Sequence, residues 1–182
     1  MKGTRAMIAA AAVALVAAIA VSATSAQAAR SVVHDRRGEA RASWDIVRIV
    51  VANGQKTLSM KVVYRGKLKP KAYPGLGFLT GVSLDFGTSD SRYSSDFSVY
   101  NTVAEPGLHN GVLLQDKKAH TVACPGLHAQ TRVKAGVVRF EVPQSCFGGQ
   151  AGSVRVSGYT YAVRGAGRTH DDVNWGRWTK LG

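Results

Sequence analysis

The sequence predicts an all-β fold, a single antiparallel β-sandwich of jelly-roll-like type with about eight or nine strands, preceded by an N-terminal signal segment. Three observations predict it. Beyond residue 28, no stretch places apolar residues at helical spacing over the length of an ordinary helix. Short segments rich in β-branched and aromatic residues recur instead, alternating apolar with polar, as strands with one buried face do. Clusters of Asn, Asp, Gly, Ser and Pro separate them, and these are the residues that tight turns use.

The N-terminus supports export. Lys2 and Arg5 precede an apolar run from Ala6 to Val21, and Ala26-Gln27-Ala28 has the small-x-small pattern of a signal-peptidase site. Residues 1–28 therefore read as a signal peptide, with a mature, secreted chain beginning at Ala29. The alternative, an uncleaved anchor, needs a longer core less diluted by alanine. No other apolar run approaches the roughly 20 residues of a membrane-spanning helix. Residues 29–43 carry four Arg, Asp35 and Glu39 and read as a solvated basic lead-in with room for an edge strand at its end, leaving 44–182 as the sandwich domain.

The elements follow in order. Asp45 to Ala52 and Thr57 to Arg65 alternate around Asn53-Gly54, residues that tolerate positive φ, and so predict a hairpin. Gly66 to Gly77, with two Pro and three Lys, reads as a surface loop. Phe78 to Phe86 and Tyr93 to Tyr100 each alternate like strands. Gly111 to Gln115 and Lys118 to Cys124 suggest a further pair. Gln130 to Val133 and Val137 to Val142 flank Lys134-Ala135-Gly136 as another hairpin, and Ser153 to Val163 offers a last long strand. The tail from Gly165 to Gly182 is Gly-rich, but Trp175 and Trp178 make it a segment that packs back onto the domain.

In an exported chain, the two cysteines are most simply one disulfide, Cys124 to Cys146, worth roughly 3 kcal/mol for a loop of this length. A zinc site from His120, Cys124, His128 and Cys146 is the competing reading. Four-residue steps along a strand cover about 13 Å, too far for ligands meeting at one ion.

Two segments carry a resemblance. Asp35-x-x-Gly38-Glu39 followed by Asp45-Ile46-x-x-Ile49, and Val142-Pro143-x-x-Cys146-Phe147-Gly148 leading to Val154-Arg155-Val156, resemble small exported proteins of high-GC Gram-positive bacteria. The resemblance implies a secreted β-sandwich; the group has no assigned activity. Glu39 stands where Asp is the more usual residue of the group, and Phe147 where Leu is. A more distant likeness, to carbohydrate-binding and DOMON-type sandwiches, rests on fold analogy alone.

No catalytic motif stands out. Gly-x-Ser-x-Gly, metalloprotease and P-loop signatures are absent from the chain, and few acids follow residue 40 to supply a glycosidase pair. The local group His170-Asp171-Asp172 sits in a Gly-rich tail, so the protein is expected not to be an enzyme, with an unrecognised hydrolase as the least favoured reading. No cofactor is expected. Asp85, Asp90 and Asp96 flank a turn where oxygen ligands could gather around Ca²⁺, though turn propensity explains them equally.

The remaining candidates are surfaces. Tyr159 and Tyr161 project from one face of the last strand with Arg155 and Ser157, while Val154, Val156 and Ala162 point the other way. If the valine face is buried, the tyrosines face water and, extended by Trp175 and Trp178, form a platform for a sugar ring; alternatively the rings cover the sheet or fill the core. The chain has 24 Lys+Arg against 11 Asp+Glu, a formal charge of +13, with a cluster at Arg65, Lys67, Lys69 and Lys71. That excess suits salt-sensitive, unspecific attraction to anionic envelope polymers, lipid headgroups or extracellular DNA, without specific nucleic-acid recognition; solubility is the alternative. The sequence reading is thus an exported non-catalytic sandwich that binds the cell envelope or an extracellular polymer, polysaccharide or polyanion. The second is a structural or protein-interaction module.

Overall fold

The computed structural model describes residues 28–36, 38, 40–69, 78–87, 95–103, 111–148, 152–164 and 167–182. Eleven strands run through the described residues: β1 (Ala29–His34), β2 (Ile46–Asn53), β3 (Thr57–Tyr64), β4 (Phe78–Asp85), β5 (Phe97–Val103), β6 (Gly111–Asp116), β7 (His128–Arg132), β8 (Val137–Pro143), β9 (Ser153–Arg164), β10 (Gly167–Val173) and β11 (Thr179–Lys180). They form two antiparallel sheets, ordered β1-β2-β3-β8-β7 and β10-β9-β4-β5-β6, with β11 also pairing β9. No helix of the described residues is long and apolar enough to cross a membrane.

The sandwich class is as the sequence predicts, but its connectivity is not that of a jelly roll. Three strands at a time stay within a sheet as meanders, β1 to β3 and then β4 to β6, before β7-β8 return to the first sheet and β9-β10 to the second. Successive strands of a jelly roll alternate between sheets; here neighbours in sequence pair within one layer.

Alternation sets the core. In β3, Leu58, Met60, Val62 and Tyr64 are buried between partly exposed neighbours. Ile46, Ile49 and Val51 of β2 and Val138, Phe140 and Val142 of β8 join them, facing Val82 and Leu84 of β4, Val99, Leu114, Val154 and Val156. Gly158 is a packing device: a Cβ there would collide with the Ile49 side chain of the facing sheet. Deeper polar groups are paired. The Tyr64 hydroxyl bonds the hydroxyls of Thr80 (2.7 Å) and Thr160 (2.9 Å), and buried Asp171 accepts the Ile46 N–H from the other sheet at 2.6 Å. Burial, reinforced by the Asp171 charge, pushes the Tyr64 hydroxyl above the ordinary tyrosine range.

Five local expectations change. The edge strand of the basic lead-in is at its start, where β1 pairs β2 and buries Val33. Neither Asn53 nor Gly54 takes a positive φ. Asn53 is instead a brace, donating to the Thr179 carbonyl (3.2 Å) and accepting from Gln144 (2.7 Å). Lys118 to Cys124 is not a strand beyond one bridge at Thr121. Asp116 Oδ1 accepts the N–H groups of Lys118 (2.8 Å) and His120 (2.9 Å), and Ala119 has φ 62°, so the side chain winds a turn where a ladder was expected. The loop after β3 is not wholly on the surface, because Leu68 is buried and its N–H bonds the Val133 carbonyl. Finally, the tail adds two strands, β10 and β11, to β9.

The hairpin between β7 and β8 forms where the sequence places it. Gly136 has φ 61°, and a Cβ there would collide with the Gly66 carbonyl, so only glycine fits. Cys124 and Cys146 are disulfide-bonded, with Cα atoms 5.3 Å apart. The bridge packs against the core, which includes a cluster of Phe86, Phe97 and Phe147 with ring centroids 4.8 to 6.0 Å apart.

Candidate functional site: an aromatic strip on the second sheet

Along β9, Val154, Val156, Gly158 and Thr160 are buried, while Arg155, Ser157, Tyr159 and Tyr161 lie on the outer face, each partly exposed. Strand register determines their neighbours. Arg155 lies opposite Asp85, Ser157 opposite Ser83, Tyr159 opposite Gly81 and Tyr161 opposite Leu79; one strand further, Ser98 and Tyr100 of β5 continue the rows.

One end of the strip is an aromatic clamp. The Arg155 guanidinium donates to Asp85 Oδ2 from Nε (2.7 Å) and Nη2 (2.6 Å), and Asp85 Oδ1 accepts the Gly87 N–H at 2.7 Å. The same guanidinium is 5.1 Å from the ring centroid of Trp175 and 5.1 Å from that of Trp178, within cation–π range. The tail makes this possible. It runs beside β9 as β10, leaves the ladder over residues 174–178 with one backbone bond from Gly176 N–H to the Val156 carbonyl (2.8 Å), and rejoins as β11. The interruption turns both tryptophans onto the outer face. Beyond it, Thr179 is buried, its hydroxyl bonded to Ser31 and its carbonyl to Asn53, so β11 closes the side of the sandwich.

The other end is a tyrosine cluster. The outer end of the Tyr159 ring covers Gly81, where a Cβ would collide with it. A ring laid across a strand glycine restores the packing that the missing side chain forgoes. Tyr100 meets Tyr159 edge-on at 5.9 Å. Burial, then the neighbouring Tyr100 hydroxyl, pushes the Tyr159 hydroxyl above the ordinary tyrosine range, so it stays protonated and able to donate. Between the two ends, a four-residue span of about 13 Å, the floor is Ser157 and Ser83, both partly exposed, with Ser98 buried beside them.

The structure therefore brings together Arg155, Trp175 and Trp178, and sets Tyr159 and Tyr161 further along the same face. It assigns Arg155 a supporting part, since its charge is matched by Asp85 and two indole rings lie within cation–π range. Tyr159 is half-buried on the sheet, not free in water. Trp178, 46% exposed, is the most open ring of the clamp.

Other candidates separate. Arg65 is held by fully buried Asp45 (2.8 Å) and by the Ala40 carbonyl (2.9 Å), which removes it from a free basic loop; Lys67 and Lys69 are exposed, and Lys71 lies outside the described residues. Of the calcium candidates, Asp85 faces a guanidinium where a cation would sit, Asp96 accepts the Phe86 N–H at 2.8 Å, and Asp90 lies outside the described residues. No group of His, Cys, Asp or Glu suited to hold a metal ion occurs among the described residues. Asp171 and Asp172 point to opposite sides of β10, one buried and one exposed; the His170 side chain lies outside the described residues.

Sequence reasoning missed the outer face of the first sheet. Arg48, Lys61, Arg132 and Arg139 all occupy outward positions of their strands. Their period-two placement was readable in each strand; that β8 lies beside β3 was not. No protein-family model matches this chain, and no curated protein matches its sequence.

Proposed function

We propose that the protein is an exported, non-catalytic β-sandwich that binds an extracellular or cell-envelope polysaccharide along the outer face of its second sheet. The observation that carries the reading is the strip itself, with rings at both ends and serine hydroxyls between. Sugar rings present apolar C–H faces and equatorial hydroxyls, and a site with aromatic walls and a hydrogen-bonding floor matches both. The length of the strip suits a chain of several sugars over a single monosaccharide. Export is supported by the N-terminal pattern and by the disulfide, which persists in oxidising compartments.

The test is co-sedimentation of the secreted, oxidised protein with insoluble peptidoglycan, chitin and cellulose at low and high salt. Retention on one polymer that survives high salt and is lost in Tyr159→Ala/Trp178→Ala is the expected result. Retention on every anionic polymer that vanishes with salt, or no retention at all, contradicts it; the latter favours a protein-interaction module. N-terminal sequencing of the secreted chain is expected to begin at Ala29.

A further inference from the structure

We infer that the outer face of the first sheet is a second binding site, for a linear polyanion lying across the strands. It does not rest on the polysaccharide reading, because it uses the opposite sheet and different residues.

Each of the five strands contributes a basic side chain to this face: Arg30 from β1, with His34 further along the same strand, Arg48 from β2, Lys61 from β3, Arg139 from β8 and Arg132 from β7. Register places them together. His34 lies opposite Arg48, Val50 opposite Lys61, Lys61 opposite Arg139, and Val137, two residues before Arg139, opposite Arg132. Directly opposed residues of an antiparallel pair share a face. With strands about 4.8 Å apart, the band crosses about 19 Å of sheet. Arg30 sits at one corner, opposite Ala52.

These charges are not neutralised in place. Neither the Arg65–Asp45 nor the Arg155–Asp85 ion pair involves the band, and no cation of the band is in an ion pair among the described residues. Lys61 and Arg139 face each other directly, an arrangement that costs stability between neighbouring strands. A protein folded for solubility alone gains nothing by opposing two cations at the centre of a sheet. An anion bound between them removes the repulsion and adds charge-assisted hydrogen bonds.

Shape and spacing choose the ligand. Val50, Ala52 and Ser59 floor a depression of about 200 Å³ that Arg30, Lys61, Arg139 and Glu141 rim. A second, of about 390 Å³, is lined by Arg48 and His34 together with Asp35 and the Asp45-paired Arg65, so its charge is mixed and the first depression is the stronger anion site. The cations are strung out one per strand and do not converge on one point, so they suit a chain with an oxyanion on every repeat more than a compact anion. A membrane surface fits less well. Val32, 47% exposed, is the large apolar residue open on this face, and interfacial binders insert several.

The experiment measures binding of fluorescently labelled poly(glycerol phosphate) to the full secreted protein by anisotropy over a range of salt. Lys61→Glu/Arg139→Glu is expected to weaken binding tenfold or more and to flatten its salt dependence. Lys117→Glu/Lys118→Glu, the same charge change on the exposed turn after β6 of the other sheet, is expected to weaken it less than twofold. Equal losses in both variants would reduce the effect to net charge and overturn the site, as would no loss in the first. If the charge-reversed pair fails to fold, Lys61→Gln/Arg139→Gln decides on the same criterion, with a threefold loss expected and an unchanged affinity overturning the site. Tighter binding to phosphatidylglycerol vesicles or duplex DNA at equal phosphate would assign the face to a different partner and likewise overturn it.

Discussion

The two sheets bury the same kind of residue and differ on the sides that face water. On the second sheet, the cation at the strip's end is matched: Arg155 meets buried Asp85 at 2.6 Å and is covered by two indole rings. On the first sheet, Lys61 and Arg139 are opposed across neighbouring strands and neither is in an ion pair, although Glu141 rims the same depression. The formal charge of +13 is therefore not evenly meaningful. Where a basic residue is structural, as Arg65 and Arg155 are, the fold supplies a buried acid. Where it does not, the field is left outward for something else to neutralise.

If that contrast is right, truncations on the two faces have opposite consequences for stability. The largest effect is expected from Arg155→Ala, which leaves the Asp85 carboxylate, 2% exposed, without its counter-charge. It should cost about 3 kcal/mol in urea unfolding. Adding Asp85→Ala should recover part of that loss; no recovery would mean the rings, and not the charge pair, hold this end. Tyr159→Ala uncovers the glycine of β4 and is expected to cost about 2 kcal/mol, with Gly81→Ala partly restoring the double variant because the ring it would strike is gone.

A pH test separates the two shielded tyrosine hydroxyls from the cationic face. Tyr64 and Tyr159 are held above the ordinary tyrosine value by burial, whereas in the unfolded chain they titrate near pH 10. The stability they contribute is fully present below about pH 10 and falls as pH rises beyond it, because the unfolded chain releases protons that the native state keeps. Tyr64→Phe should flatten this alkaline slope at a cost of about 1 kcal/mol at neutral pH, and Lys61→Ser should leave it unchanged. The smallest effect belongs to the cationic face. Lys61→Ser or Arg139→Ser is expected to change stability by less than about 0.5 kcal/mol, in the stabilising direction at low salt. A loss above 1 kcal/mol would show these side chains to be structural.

Much of this architecture was legible because alternation is a local property. Thr57 to Tyr64 and Ser153 to Val163 declare their buried faces residue by residue. The strand Gly167–Val173 was not legible, since its polar composition carries no period; it is a strand because β9 offers an unpaired edge. The Asp116 turn was misread because one side chain can outcompete a ladder. Within the candidate site, Tyr159 and Tyr161 sharing a face followed from spacing, as did the disulfide from composition. The Arg155–Asp85 pair and the Lys61–Arg139 opposition depend on register between strands far apart in sequence, which no local pattern encodes.

The two outer faces are expected to take different ligands, and the independence of the two sites is what matters most. It is tested most directly by titrating the wild type, Tyr159→Ala/Trp178→Ala and Lys61→Glu/Arg139→Glu each with the retained polysaccharide and with poly(glycerol phosphate). Each double variant is predicted to lose one ligand and keep wild-type affinity for the other. A variant that loses both, or losses shared equally between the two, would contradict it.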